Sequence, residues 1–206
     1  MRGSLLTGPD GRRRCWWSLS SPEYLAYHDD EWGKPVHGER PLYERLTLEA
    51  FQSGLSWLTI LRKREAFRAA FADFRIDRVA AFDARDVERL LGDDRIVRNR
   101  RKIEATIENA RRARELGSFA AFVWSFAPRR PRSPKRRSDL PASTPESEAL
   151  ARELKRLGFR FVGPTTAYAL MQACGLVNDH LAGCWVRPTI STLRSAAARE
   201  MAASRP

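Results

Sequence analysis

The stretch PLYERLTLEAFQSGLSWLTILRKREAFRAAF, Pro41 to Phe71, decides how the rest of the chain is read. Leu42, Leu46 and Ala50 recur at steps of four, which places them on one face of an α-helix. Pro41 suits a first helical position, where its missing N–H goes unnoticed. Gly54 interrupts, and Leu58 and Leu61 begin a new apolar stripe, so a second helix is expected from about Ser56 to Phe71. Glu49 is out of place in the apolar run LTLEAF. A carboxylate there either lies on a solvated face or needs a partner, because burying it alone is costly.

The same punctuation recurs outward from this pair. Asp83 is placed to cap DARDVERLL, with Asp86 in its first turn. A long helix is expected from about Arg98 to Leu116, buried through Ile103, Ile107 and Ala110 and stopped by Gly117. Ser118 can cap FAAFVWSF. Ser143 or Thr144 can cap the helix that starts at Pro145 and stops at Gly158, and Gly163-Pro164 opens another that Gly175 closes. No segment alternates apolar and polar residues in the manner of a strand. The fold class expected is therefore all-α, with about seven or eight short helices. Residues 1–14, rich in Gly, Pro and Arg, read as a disordered basic tail ahead of one domain over 15–188. Residues 127–141, APRRPRSPKRRSDLP, read as a basic surface loop, and 189–206 as a frayed helix or C-terminal tail.

Charge is the dominant global feature: Lys and Arg number 37 against 25 Asp and Glu, a net of +12. Clustered as it is, that excess favours polyanions, nucleic acid before an acidic membrane face. No apolar run approaches the roughly 18 residues of a membrane helix, so no membrane partner is expected. The N-terminal MRGSLLTGPDGRRRC lacks a signal-peptide core, and the cysteines are an odd 3 in number. Together these predict a reducing, cytoplasmic setting.

The cysteines and the 3 histidines are scarce, yet His180 and Cys184 lie four apart in NDHLAGC. With Cys15 and His28 they could form a four-ligand Cys₂His₂ site tying the two chain ends together. A capped His and a buried Cys is the alternative. Cys174, on the apolar YALMQAC stripe, reads as a buried free thiol, and His37 as an exposed loop residue.

Four segments taken together carry more information than any of these spacings. CWW…YLAYHDDEWGKP, LTLEAFQSGLSWLTILRKRE, FVWSF and FVGPTTAYALMQACGLVNDHLAGC occur in order between Cys15 and about Pro188. They resemble the 3-methyladenine DNA glycosylase I family. That resemblance implies an all-helical fold of the helix-hairpin-helix glycosylase superfamily. It implies a monomeric enzyme of the bacterial cytoplasm, working at the nucleoid in base excision repair. Its partner would be double-stranded DNA containing alkylated bases, from which it hydrolytically releases 3-methyladenine. It also implies structural Zn²⁺ on Cys15, His28, His180 and Cys184.

The family's pocket falls on Tyr27, Glu49 and Trp57, with Trp17 and Trp32 as further walls. Glu49 would read the flipped base and act as the catalytic residue. Gly54-Leu55 correspond to a wedge that fills the gap left by the base. The hairpin that grips DNA corresponds to LLGDDRIVRNRRKIEA (90–105), with Arg98, Arg100 and Lys102 as phosphate contacts. Arg95 and Arg101 replace glycines common there, which favours side-chain over backbone contacts. The 127–141 loop is either an additional DNA tether or a solvated insertion. Ala50-Phe51 departs from smaller or polar residues. The resemblance implies no catalytic Asp, so neither Asp179 nor Asp93 is assigned that role; Asp179 is expected to cap a helix or support His180.

Two competing readings come from other classes. One is a zinc-stapled DNA-binding protein without catalysis, which an intact Tyr27, Glu49 and Trp57 argues against. The other is a zinc hydrolase or nucleobase deaminase, whose H-E-x-x-H or H-x-E with P-C-x-x-C is missing.

Overall fold

A computed structural model describes residues 3–130 and 132–203. The stretch 41–71 forms two helices: α2, Glu39–Gln52, and α3, Trp57–Ala70. Gly54, at φ +82°, makes the reversal between them, a conformation that costs a residue with a Cβ. Ser56 caps α3 by accepting the Thr59 N–H. Before this pair comes α1, Pro22–Asp30, capped by Ser21. After it come α4, Ile76–Ala80, and α5, Ala84–Gly92; α5 starts in a capping box between Asp83 and Asp86.

The long helix α6 runs Arg100–Glu115, starting two residues later than the sequence suggests because Asn99 takes the cap position. Then follow α7, Phe119–Trp124, capped by Ser118; α8, Pro145–Arg156, capped by Thr144; α9, Pro164–Ala173; and α10, Arg187–Ala203. The helices enclose one large apolar core that includes Phe51, Phe67, Phe71 and Phe74. A small second core, around Cys15, Leu181, Cys184, Val186 and Ile190, holds the chain ends together. Among the described residues no helix is long and apolar enough to cross a membrane.

Both tails differ from expectation. Leu5–Thr7 (β1) pairs antiparallel with Arg13–Cys15 (β2), Leu5 opposite Cys15, so residues 5–15 form a hairpin and not a disordered arm. Arg14 holds it in place: its guanidinium bonds Asp10 on one side and Asp29 of α1 on the other. Residues 1 and 2 lie outside the described residues. Residues 189–203 belong to α10, with Ile190, Arg194 and Ala197 buried. Arg194 donates to the Leu176 and Pro128 carbonyls at 2.7 Å each. Residues 204–206 lie outside the described residues.

The basic loop is on the surface, as read, but its backbone is fastened. The Pro134 carbonyl accepts Ala182 N–H at 2.7 Å, and the Arg132 carbonyl accepts from Arg187 at 2.9 Å. Asp139 accepts the N–H groups of Lys135 and Arg136. Pro131 lies outside the described residues.

Candidate functional site

An aromatic cavity of about 370 Å³ opens between α1, α2, α3 and α9. Trp17, Tyr27, Trp32 and Trp57, the aromatic residues selected from the sequence, all line it, and Glu49 joins them. Trp17 and Trp32 meet edge to face at 5.2 Å between centroids, and Tyr27 tilts against Trp57 at 5.4 Å. Such offset and edge contacts hold rings at fixed angles and leave faces available to a planar guest. The cavity also uses residues that the sequence reading missed: Tyr24, Trp16, Gln52, Leu140 and Gln172. Tyr24 stands one turn before Tyr27 on α1, and that i, i+3 spacing was the available signal. Its hydroxyl accepts the Leu58 N–H at 3.1 Å, near the start of α3.

Glu49 projects from α2 and is 6% exposed. It has no hydrogen-bond partner among the described residues. Burial pushes its carboxyl up to about 8, and Arg45, one turn earlier on α2, partly offsets this. Arg45 is itself engaged, donating to Glu31 at 2.6 Å, as does Arg64. The Trp57 indole N–H is likewise buried without a partner. The site thus holds a carboxyl and a donor that nothing among the described residues satisfies.

Behind this wall, Cys15, His28, His180 and Cys184 converge in a fully buried cluster whose ligand atoms all lie within 4.8 Å of one another. His180 Nδ1 lies 3.2 Å from His28 Nε2 and 3.6 Å from Cys184 Sγ; Cys184 Sγ lies 3.5 Å from His28 Nε2, and Cys15 Sγ 4.0 Å from His180 Nδ1. A tetrahedral metal with bonds of about 2.0–2.3 Å spaces its N and S ligand atoms roughly 3.3–3.8 Å apart, close to most of these separations, so the cluster could hold one ion after a small contraction at Cys15. The outer nitrogens are also directed. His28 Nδ1–H donates to Asp29 at 2.7 Å and His180 Nε2–H to the Trp32 carbonyl at 2.9 Å, which aims the other nitrogen of each ring inward. The bond from Cys15 draws the Cys184 thiol well below its ordinary range and raises that of Cys15.

Other selected residues are placed differently. Leu55, after Gly54 in the α2–α3 turn, is 41% exposed, large and apolar. Arg98 is exposed, while Arg100 is paired with Glu88 at 2.7 Å. Lys102 corrects the reading of it as a phosphate contact. It is 7% exposed, and its ammonium donates to the Phe51 carbonyl at 2.9 Å and the Ser53 carbonyl at 2.6 Å. The orphan carbonyls at the end of α2 attract a cation more strongly than solvent does. Asp179 accepts from Tyr168 and Gln172 of α9, and so neither caps a helix nor touches His180. His37 stacks on Trp124 at 5.1 Å and is not fully exposed, whereas Cys174 is a buried free thiol as read.

Comparison with known proteins points the same way. The profile of the family described as Methyladenine glycosylase matches residues 17–187. DNA-3-methyladenine glycosylase 1 of Escherichia coli K12 is 48% identical over 181 residues, 85% of this chain and 97% of the relative. A crystal structure of 3-methyladenine DNA glycosylase I, 50% identical, superposes with a TM-score of 0.82 over 85% of this chain and all of that one. A Staphylococcus aureus 3-methyladenine DNA glycosylase I, solved to explain 3-methyladenine recognition, is 37% identical with a TM-score of 0.80 over 85% of this chain and 96% of its own. Helix α10 lies almost wholly beyond the matched segment, but every lining residue of the cavity except Trp16 lies inside it, and with the profile covering most of the chain and a relative at 48% identity the chain belongs to the methyladenine glycosylase family.

Proposed function

We propose that the protein is a monofunctional DNA glycosylase that extrudes 3-methyladenine from alkylated duplex DNA and releases it by hydrolysis, the first step of base excision repair. The observation that carries this is Glu49: a buried carboxyl without a partner, among aromatic rings, in a cavity sized for a base. An adenine alkylated at N3 carries positive charge while still joined to its sugar. Rings such as Trp57 and Tyr27 attract it by cation–π contact, worth roughly 0.5–2 kcal/mol each. Glu49 accepts hydrogen bonds from its polar edge. In the empty pocket at neutral pH, Glu49 is mostly protonated, because its pKa is raised to about 8. The arriving cation favours the carboxylate, so binding expels a proton. Glu49 acts catalytically through the leaving base; the lability of the alkylated base supplies the rest.

Leu55, carried on Gly54, fills the space the base vacates. For phosphate contact the α8–α9 turn is better suited than the 90–105 segment. Asn99 occupies the N-terminus of α6, whereas that of α9, at Gly163, has no side-chain cap; its first residue, Pro164, carries no N–H, and the Thr165 and Thr166 amides are left open. The 157–163 turn also carries no acid, while 93–99 contains Asp93 and Asp94. Arg98 and, more weakly, Arg100 add side-chain contacts.

Cys15, His28, His180 and Cys184 would hold Zn²⁺. With four protein ligands the ion would stabilise the fold at the pocket's back wall. The protein would work as a monomer in a bacterial cytoplasm; the relatives named above are bacterial. Incubation with methylated duplex, followed by chromatography of the supernatant, should show free 3-methyladenine. Binding to DNA without base release would establish the non-catalytic alternative.

A further inference from the structure

Helix α6 is fastened at two points to the two turns that the proposed function brings against DNA. Near its start, the Lys102 ammonium bonds the Phe51 and Ser53 carbonyls, immediately before Gly54 and Leu55. Two turns later, the Asn109 side chain bonds Arg160 in both directions. Its amide donates to the Arg160 carbonyl at 3.0 Å, and its oxygen accepts the Arg160 N–H at 2.8 Å. Arg160 is the centre of the α8–α9 turn. Between them, the Thr106 carbonyl accepts the Tyr43 hydroxyl at 2.8 Å, which fixes α6 to α2 as well.

Lys102, Thr106 and Asn109 are spaced i, i+4, i+7, one stripe of a helix. Both clamps are buried, and both act on backbone rather than on replaceable side chains. Beyond its own local backbone bonds, such as Leu55 N–H to the Gln52 carbonyl at 2.7 Å, the Leu55 turn is lightly packed: an added Cβ at Gly54 would meet nothing within 4 Å, and Leu55 itself is exposed.

We infer that Lys102 and Asn109 are positioning residues for base extrusion, with α6 as the rigid spacer between the Leu55 wedge and the phosphate-holding 157–163 turn. The separation is seven residues, roughly 10.5 Å of helix. Driving Leu55 into a base stack meets resistance, because unstacking costs energy. A wedge on an unsupported turn would bend back. Held through Lys102 to α6, and through Asn109 to the turn gripping phosphates, it cannot retreat without the protein letting go of the strand. Lys102 thus serves the reaction without touching the base. The inference rests on the glycosylase reading given above.

The test is single-turnover release of 3-methyladenine from methylated duplex and from the same methylated strand unpaired, with binding of free 3-methyladenine as a third measurement. Lys102→Met removes a hydrogen-bonded cation, an interaction that commonly changes rates by about tenfold or more. Duplex release should fall by that factor, while single-strand release and free-base binding stay within about twofold. Lys102→Arg should recover most of the loss. On a Leu55→Ala background, Lys102→Met should cost little more, because both act through one wedge. Asn109→Ala should also slow duplex release and spare free-base binding.

If Lys102→Met does not fold, Lys102→Gln in the same cycle with Leu55→Ala decides the matter. Unchanged duplex release, an equal loss of free-base binding, or full additivity with Leu55→Ala would each overturn the inference. A parent protein that releases no base overturns the glycosylase reading and this inference with it; a releasing parent with an unaffected Lys102→Met overturns this one alone.

Discussion

The Cys/His cluster and the aromatic pocket share a wall, and they treat buried polarity in opposite ways. Cys15 and His28 belong to the cluster, and their close neighbours Trp17 and Tyr27 belong to the pocket. In the cluster every outer nitrogen has a receiver and the four inner atoms face one another. In the pocket Glu49 and the buried Trp57 N–H have no hydrogen-bond partner among the described residues. A satisfied cluster stabilises the molecule that contains it. An unsatisfied one costs stability until something arrives to complete it, and that incompleteness is what makes it a binding site.

The largest expected effect comes from breaking the satisfied side. Cys184→Ser should remove bound zinc and lower unfolding stability by several kcal/mol, since metal-binding energy in such sites is folding energy. Metal analysis and thermal unfolding should move together, and folded wild-type protein containing no zinc would defeat the assignment.

Next is Glu49. Glu49→Ala should slow 3-methyladenine release by about 100-fold, near the upper range for a hydrogen bond to a charged group, with zinc content unchanged. Glu49→Gln should fall between the two. Stability should respond in the opposite direction. A carboxyl whose folded pKa is about 8, against an ordinary 4.5, favours folding less and less as pH rises between those values. Glu49→Gln should therefore unfold later than the parent at alkaline pH, by about 1–3 kcal/mol, with the advantage vanishing in acid. A Gln variant less stable than the parent at alkaline pH would mean that Glu49 has a partner.

The smallest effect repeats the contrast on the surface. Arg98 is exposed and makes no ion pair among the described residues, whereas Arg100 is already paired with Glu88. Arg98→Gln should reduce the slope of log affinity for undamaged duplex against log salt by up to about 0.9, one phosphate's worth, and Arg100→Gln by less. Equal slopes would erase the distinction.

The sequence shows local chemistry well and distant chemistry poorly. Asp83, Ser118 and Thr144 cap the helices that they precede, because a cap and its amides lie within three residues. The aromatic pocket and the His/Cys set were legible through resemblance, supported by how scarce those residues are. Lys102 looked like one more cation in a basic run; its real partners lie about fifty residues back, at the end of another helix. The N-terminal hairpin was missed because strands of three residues are too short to show alternation. Helix α10 reads from sequence as no more than a frayed end because its buried face includes an arginine, Arg194, whose role depends on carbonyls from two distant loops.

The clasp between Cys15 and Cys184 also sets a schedule. Two of its four ligands come from residue 180 onward. A ribosome will have delivered Trp17, Tyr27, Glu49 and Trp57 long before the chain segment that fastens their back wall leaves the exit tunnel. Closing so long a loop is entropically among the most expensive contacts in the molecule, although its cost grows only slowly with length. The pocket is therefore expected to be the last part of the protein to mature, and a chain interrupted before His180 should carry all of its base-facing residues and still be unable to hold a base.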